Sequence, residues 1–289
     1  MTRPTLPTPP SWTHDAIWYQ VLLDRFCNGT KTNDPTPVRP WTSAWYDASP
    51  WEGTNGETFY KFFVFDRKYG GDIQGLLARL PYLSDLGVNA LYLNPVFQAP
   101  SLHKYDTTDF RHVDETFGAG VGDYERTVAK EDLLDPSTWT WSESDKIFLD
   151  ALATMKHAGF RVIIDGVFNH VGTTHPAFKD VKAHGAASPY ADWFDVTSWT
   201  PFAYRGWCGF KDLPVFRKTP EHGLASRLLR EHLVAITQRW MAPDGDVSRG
   251  VDGWRLDVPN EVPRAWWAEW RTLVKTINPE AFITGEIWH

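Results

Sequence analysis

Arg161-Val162-Ile163-Ile164-Asp165 is a short, β-branched apolar run that ends on a carboxylate. Consecutive rather than alternating apolar residues suit a strand buried on both faces, as strands of a parallel sheet are. Four runs of the same character lie at 17–23, 90–93, 253–258 and 281–284. Helical patterns separate them at 73–86, 146–158, 225–241 and 263–277, the first with Ile73, Leu76, Leu77, Leu80 and Leu83 on one stripe. Strand and helix in alternation predict an α/β chain with a parallel sheet and right-handed crossovers, either an open doubly wound sheet or a (β/α)8 barrel of the TIM type. The stretch 171–216, rich in Gly, Pro, Trp and Phe, is too long for an ordinary strand-to-helix connection and reads as a small inserted subdomain. The expected organisation is therefore 1–170, 171–216 and 217–289, with the outer two belonging to the main sheet.

Three of the five runs deliver an acid at their ends: Asp165, Asp257 and Glu286. In a parallel α/β fold those ends share one face, where barrel enzymes build their sites. Arg255 and Asp257 are two apart on one strand and emerge on the same side, so the guanidinium is expected to keep Asp257 ionised with a depressed pKa. Glu286 enters from the next strand. Glycoside hydrolysis needs such a pair, one carboxylate to attack the anomeric carbon and one acid to assist the leaving group. A structural ion-pair cluster is the alternative, and three converging strand ends weigh against it.

Composition narrows the function classes further. With 29 Lys and Arg against 36 Asp and Glu, the net charge is −7, and no basic stripe supports a nucleic-acid partner. Residues 1–10 hold four prolines and no apolar run, so no secretory signal or membrane segment is expected, and the location reads as cytoplasmic. The two cysteines, Cys27 and Cys208, lack C-x-x-C partners and indicate neither a disulfide framework nor a zinc site. No G-x-G-x-x-G opens a helix after the first strand, which disfavours a dinucleotide enzyme. Sixteen tryptophans offer flat faces for sugar rings as well as for a core; Trp266, Trp267 and Trp270 share one helical segment and read as packing residues.

Asp165-Gly166-Val167-Phe168-Asn169-His170, Gly253-Trp254-Arg255-Leu256-Asp257-Val258 and Gly285-Glu286-Ile287-Trp288-His289 resemble, in order, the first three conserved regions of the α-amylase family of glycoside hydrolases (family 13). Tyr69-Gly70-Gly71-Asp72, Leu93-Asn94-Pro95-Val96-Phe97 and His103-Lys104-Tyr105-Asp106-Thr107 extend the resemblance over 17–289. It implies a (β/α)8 barrel with the subdomain inserted after the third strand. It also implies that Asp257 is the nucleophile forming a glycosyl-enzyme, that Glu286 is the general acid and base, that Arg255 orients Asp257 and that Asp165 fixes Arg255. By the same resemblance His170 hydrogen-bonds the sugar at the cleaved bond, Tyr105 stacks under it, and His103 is a further binding candidate.

The pattern Glu286-Ile287-Trp288-His289 resembles the cyclomaltodextrinase, neopullulanase and maltogenic amylase branch, which implies an acceptor-side role for Trp288 and a substrate among maltodextrins, cyclodextrins and starch-like α-glucans. That branch carries a calcium loop, and Asn28, Asn33, Asp34, Gly70 by its carbonyl and Asp72 match its oxygen ligands, with Thr30 where an acid or amide is usual. A metal-free Asn/Gly/Asp turn is the other reading of that loop. No organic cofactor is implied.

Only five barrel strands are found, and the fourth conserved region with its third carboxylate is not, so the expectation is a truncated form whose own activity is in question. A non-catalytic glucan-binding or protein-interacting family member, and a transglycosylase or isomerase on the same site, remain the alternatives to a retaining hydrolase.

Overall fold

The computed structural model describes residues 8–44 and 67–287. In chain order its elements are β1 (Trp18–Val21), α1 (Ile73–Ala78), α2 (Leu80–Asp85), β2 (Ala90–Leu93), β3 (Phe97–Gln98), β4 (Asp109–Val113), α3 (Asp123–Val128), α4 (Glu143–His157), β5 (Arg161–Gly166), α5 (Pro176–His184), β6 (Val196–Trp199), β7 (Phe202–Tyr204), β8 (Lys218–Thr219), β9 (Gly223–Leu224), α6 (Arg227–Met241), β10 (Gly253–Leu256), α7 (Arg264–Ile277) and β11 (Phe282–Gly285). Five of the strands form one sheet in the order β1-β2-β5-β10-β11. Every neighbouring pair in it is parallel. Strand order follows chain order, with helices crossing between, which is the winding of a (β/α) barrel rather than of a doubly wound sheet.

The local chemistry explains the boundaries. Helix α4 begins at Glu143 because Ser142 caps it: the Ser142 hydroxyl accepts from Asp145 N–H while the Asp145 carboxylate accepts from Ser142 N–H. The single helical stripe expected over 73–86 is instead two short helices. Pro81 has no N–H to donate into the preceding turn, and Arg79 leaves helical geometry at φ −102°, ψ 3°. Asp72 caps the first of the two by accepting from Gly75 N–H.

Burial drives the assembly. Leu91 and Leu93 of β2, Val162 and Ile164 of β5 and Trp254 of β10 pack in one apolar cluster with Phe148 and Leu152 of α4, Trp240 of α6 and Trp270 of α7. Each such side chain contributes about 1.5–3 kcal/mol by leaving water. Trp266 and Trp270 are buried, whereas Trp267 is half-buried and donates its indole N–H to Pro259 O at 2.7 Å.

Over 171–216 the chain forms α5 and the antiparallel β6/β7 hairpin; an isolated bridge pairs Gly206 with Pro214 within this stretch, and another pairs Val215 with His170, just after β5. At the opposite end of the sheet, Trp12 braces the first strand against the last. Its ring lies 5.9 Å from Phe282 of β11 and 5.7 Å from Trp18 of β1, and its N–H donates to Glu280 O at 3.0 Å. No helix among the described residues is long and apolar enough to cross a membrane.

Candidate active site

Parallel pairing brings the strand-end acids together. Arg255 lies beside Asp165, and Leu256 beside both Gly166 and Gly285, so Asp165, Arg255, Asp257 and Glu286 leave the sheet at one end. Arg255 is the hub. Its Nη1 donates to Asp165 Oδ1 and Oδ2 at 3.0 and 2.9 Å and lies 3.4 Å from Asp257 Oδ1; its Nη2 lies 2.6 Å from Glu286 Oε2. Asp257 and Glu286 are also hydrogen-bonded to each other. Three carboxyl groups thus share one guanidinium.

That crowding overturns one expectation. Asp257 is not held below the usual carboxylate range: burial pushes it up to about 8, the nearby charges of Asp165 and Glu286 add to the rise, and Arg255 offsets only part of it. Sequence spacing reveals the Arg255 partner two residues away but not the other two acids competing for that cation. Asp165, wholly buried, is likewise raised to about 6 by burial, against the pull of Arg255 and the hydroxyls of Tyr92 and Tyr105. The Glu286 side chain is the open one, 28% exposed.

Around this centre, Tyr105 donates its hydroxyl to Asp165 Oδ2 at 2.9 Å and accepts from Asn94 Nδ2 at 3.1 Å. His103 Nδ1 accepts from Tyr105 N–H, and the two rings are 5.8 Å apart. His170 is 1% exposed, and burial holds it neutral, its pKa lowered to about 3. Asn169 Oδ1 takes the ammonium of Lys218, which turns the Asn169 amide nitrogen towards His170 Nδ1 at 3.1 Å. His170 Nε2 is buried and has no hydrogen-bond partner among the described residues. Trp288 lies outside the described residues.

Sequence reasoning passed over three residues here. Tyr92 donates its hydroxyl to Asp165 Oδ2 at 2.5 Å, and Gln20 donates to Asn94 Oδ1 at 3.0 Å, tying β1 to β2 beside the site. The signal was present: Tyr92 and Asn94 stand two apart at the end of an otherwise apolar run.

The calcium loop fits a cation in part. Asn33 is buried and spends its amide nitrogen on Asp72 Oδ2 and Gly118 O, which leaves its buried Oδ1 without a partner among the described residues. Asp34 Oδ1 accepts from Asn28 Nδ2 at 2.5 Å, and Gly70 lies so close over this pair that a Cβ would sit 2.5 Å from Asp34 Oδ1. Hard oxygens thus gather at Asn28, Asn33, Asp34 and Gly70. Asp72 does not fit as a ligand, because its two oxygens already accept from Gly29 N, Thr30 N, Asn33 Nδ2 and Gly75 N at 2.6 to 3.1 Å.

Known proteins resemble this chain in sequence and in fold. Residues 20–132 and 144–289 match the family model described as alpha amylase, catalytic domain. A cyclomaltodextrinase from Bacillus sp is 36% identical over 282 residues, 97% of this chain and 42% of that protein. Neopullulanase 2 of Thermoactinomyces vulgaris is 36% identical over 98% of this chain and 40% of that protein. Among solved structures, a cyclic alpha-maltosyl-(1→6)-maltose hydrolase from Arthrobacter globiformis superposes with a TM-score of 0.72 at 30% identity, covering 98% of this chain and 53% of that one. The chain thus spans about two fifths of the length of the curated relatives quoted. With its parallel strands, its clustered strand-end acids and these matches, the chain belongs to the α-amylase family of glycoside hydrolases.

Proposed function

We propose that this chain carries the nucleophile and acid/base pair of a retaining α-glucan hydrolase acting on maltodextrins, cyclodextrins or related α-1,4-linked glucans. The observation that carries the reading is the meeting of Asp257 and Glu286, from adjacent strands, in a hydrogen-bonded pair on Arg255. Carboxyls this close favour retention; inversion needs about 6.5–9.5 Å between them to seat a water. Burial and the neighbouring acids keep the Asp257 carboxyl protonated up to about pH 8. Catalysis needs that proton on Glu286, and transfer along the hydrogen bond supplies it without recourse to solvent as the sugar parts the two groups.

Glu286 then protonates the glycosidic oxygen as the C1–O bond breaks, and an Asp257 oxygen bonds to C1. In the second half, the Glu286 carboxylate takes a proton from water, the water oxygen bonds to C1, and the bond to Asp257 breaks. The product is α-anomeric, Glu286 ends protonated and Asp257 ionised. In this scheme Arg255 orients Asp257, Asp165 holds Arg255, His170 hydrogen-bonds a sugar hydroxyl, Tyr105 and His103 contact the sugar, and Trp288 is assigned to acceptor binding by the resemblance alone.

The test is to incubate the 289-residue chain and its Glu286→Gln variant with maltodextrin and follow product anomers by NMR. The wild type should release α-anomer and the variant should be slower by about 10²–10⁴-fold. A wild-type chain that binds glucan without cleaving it would sink the hydrolase reading in favour of a binding role. Calcium, held by Asn28, Asn33, Asp34 and the Gly70 carbonyl, would brace the loop after β1 without entering the reaction; a melting temperature unmoved by chelator argues against it. A relative named "Intracellular maltogenic amylase" supports a cytoplasmic location.

A further inference from the structure

We infer that His112 is a buried imidazolium tying four elements together, and that losing its proton at alkaline pH frees the segment between α3 and α4 and loosens the hairpin that carries His103 and Tyr105. The inference is independent of the glucan reading above.

Both ring nitrogens of His112 face carboxylates. Nδ1 lies 2.8 Å from Asp145 Oδ2 and Nε2 lies 2.9 Å from Glu131 Oε2, and all three side chains are closed to solvent. A neutral imidazole has one N–H and would turn a lone pair on the second carboxylate; only the imidazolium donates to both. The carboxylate oxygens are already taken by other donors. Glu131 Oε2 also accepts from Arg111 Nη1 at 3.0 Å, and its Oε1 from Thr140 N–H at 2.6 Å. Asp145 Oδ1 accepts from Val113 N–H at 2.8 Å, and its Oδ2 from Ser142 N–H at 3.0 Å. A proton shared with the ring therefore resides on the ring, the more basic partner.

Charge counting agrees. Asp109, Glu131 and Asp145 bring three negative charges together, while Arg111 and Arg239 bring two positive ones. Arg111 donates to Asp109 Oδ2 at 2.7 Å, and Arg239 Nη2 lies 3.3 Å from Asp145 Oδ2. The imidazolium brings the sum to zero, whereas a neutral ring would leave one buried anion uncompensated. Tyr124 packs its ring 6.0 Å from His112 and donates its hydroxyl to Asp109; burial and then the Asp109 charge raise that hydroxyl above its usual range, so it adds no charge. His175 and His232, two other buried rings near Asp109, are lowered by burial to about 3 and about 4 and stay neutral. Burial also opposes a charge on His112, yet the hydrogen bonds to Asp145 and Glu131 outweigh it and push the ring up to about 9.

Stability follows that proton. The unfolded ring titrates at about 6.5, so its contribution is complete below that value and is lost as pH rises through about 9, a loss of about 300-fold in the folding equilibrium. The four tied elements are β4 with His112, the segment with Glu131, the first turn of α4 with Asp145, and α6 with Arg239. Once the proton leaves, one carboxylate faces a lone pair. Asp145 is fixed by the α4 capping box, so Glu131, on the irregular stretch after α3, is the side that yields. Strand β4 is the return strand of loop 99–108, which holds His103 and Tyr105, and a loosened β4 therefore carries the change towards the carboxylates.

The experiment is ring-nitrogen NMR of the isotope-labelled full chain, in which an imidazolium shows two similar nitrogen shifts and a neutral ring two widely separated ones. At pH 8 the wild type should show a doubly protonated histidine that is missing from His112→Gln. Glu131→Gln leaves two anions for the two arginines, so the same ring should be neutral there at pH 8. If the wild type shows no such histidine at pH 8, if none is lost in His112→Gln, or if the ring stays charged in Glu131→Gln, the inference falls. Should a variant not fold, the wild-type titration decides: a midpoint near pH 9 supports the imidazolium and one below pH 7 overturns it. Subtilisin cuts within 129–142, read by mass spectrometry against cuts elsewhere in the chain, should be about 10-fold faster at pH 10 than at pH 8. An unchanged ratio refutes the release.

Discussion

Replacing Asp257 by asparagine should stabilise the protein at neutral pH, by an amount that grows as pH rises. The residue is only 6% exposed, and burial together with the charges of Asp165 and Glu286 raises its carboxyl to about 8. In the unfolded chain the same group titrates at about 3.9. Between the two values the native state keeps a proton that the unfolded state has released. Its stabilising contribution is therefore complete below the unfolded pKa and is lost as pH rises through the folded one. From about pH 5 to about pH 8 the loss from this one group comes to about 3–4 kcal/mol. Asp165, raised to about 6, adds about 1 kcal/mol over the same window. The Asp257→Asn variant removes the larger share of that loss while keeping an oxygen for Arg255 to bond. Urea unfolding followed by tryptophan fluorescence at several pH values measures both slopes. Parallel slopes for wild type and Asp257→Asn would refute the proton pairing argued for this site.

Three other perturbations have definite outcomes. Gly253→Ala should abolish soluble, folded protein, because a Cβ there would sit 1.9 Å from Phe282 O and force β10 from β11; a variant with wild-type circular dichroism and melting contradicts the register. Lys104→Met strands the buried Asp114 carboxylate, whose ion pair with Lys104 measures 2.6 Å, and should cost about 3–5 kcal/mol in urea unfolding. Ser142→Ala breaks the α4 capping box and should cost about 1 kcal/mol by the same measurement.

The sheet strands were legible because burial on both faces leaves little room for polar residues: 90–93 matches β2 residue for residue, and the acids ending the other runs emerge together. The hairpin strand β4 was not legible. Its Asp109, Arg111 and His112 look like surface residues but lie buried in a network with Glu131 and Asp145, which stand 19 and 33 positions from His112. The break in the first helical stripe was written in Pro81, and periodicity alone passed over it. The raised pKa of Asp257 depends on acids from two other strands, and no spacing along a single strand reports their number.

Trp12 reaches Glu280 across 268 positions of sequence. A contact of that span forms only after nearly all the intervening chain is in place, since loop closure must precede it. On a ribosome, β1 and its aromatic brace would emerge early and wait for β11 before the end of the sheet could close. The indole ring is thus a timer as well as a strut: quenching or shift of its fluorescence during refolding would mark the moment at which the first and last strands find each other.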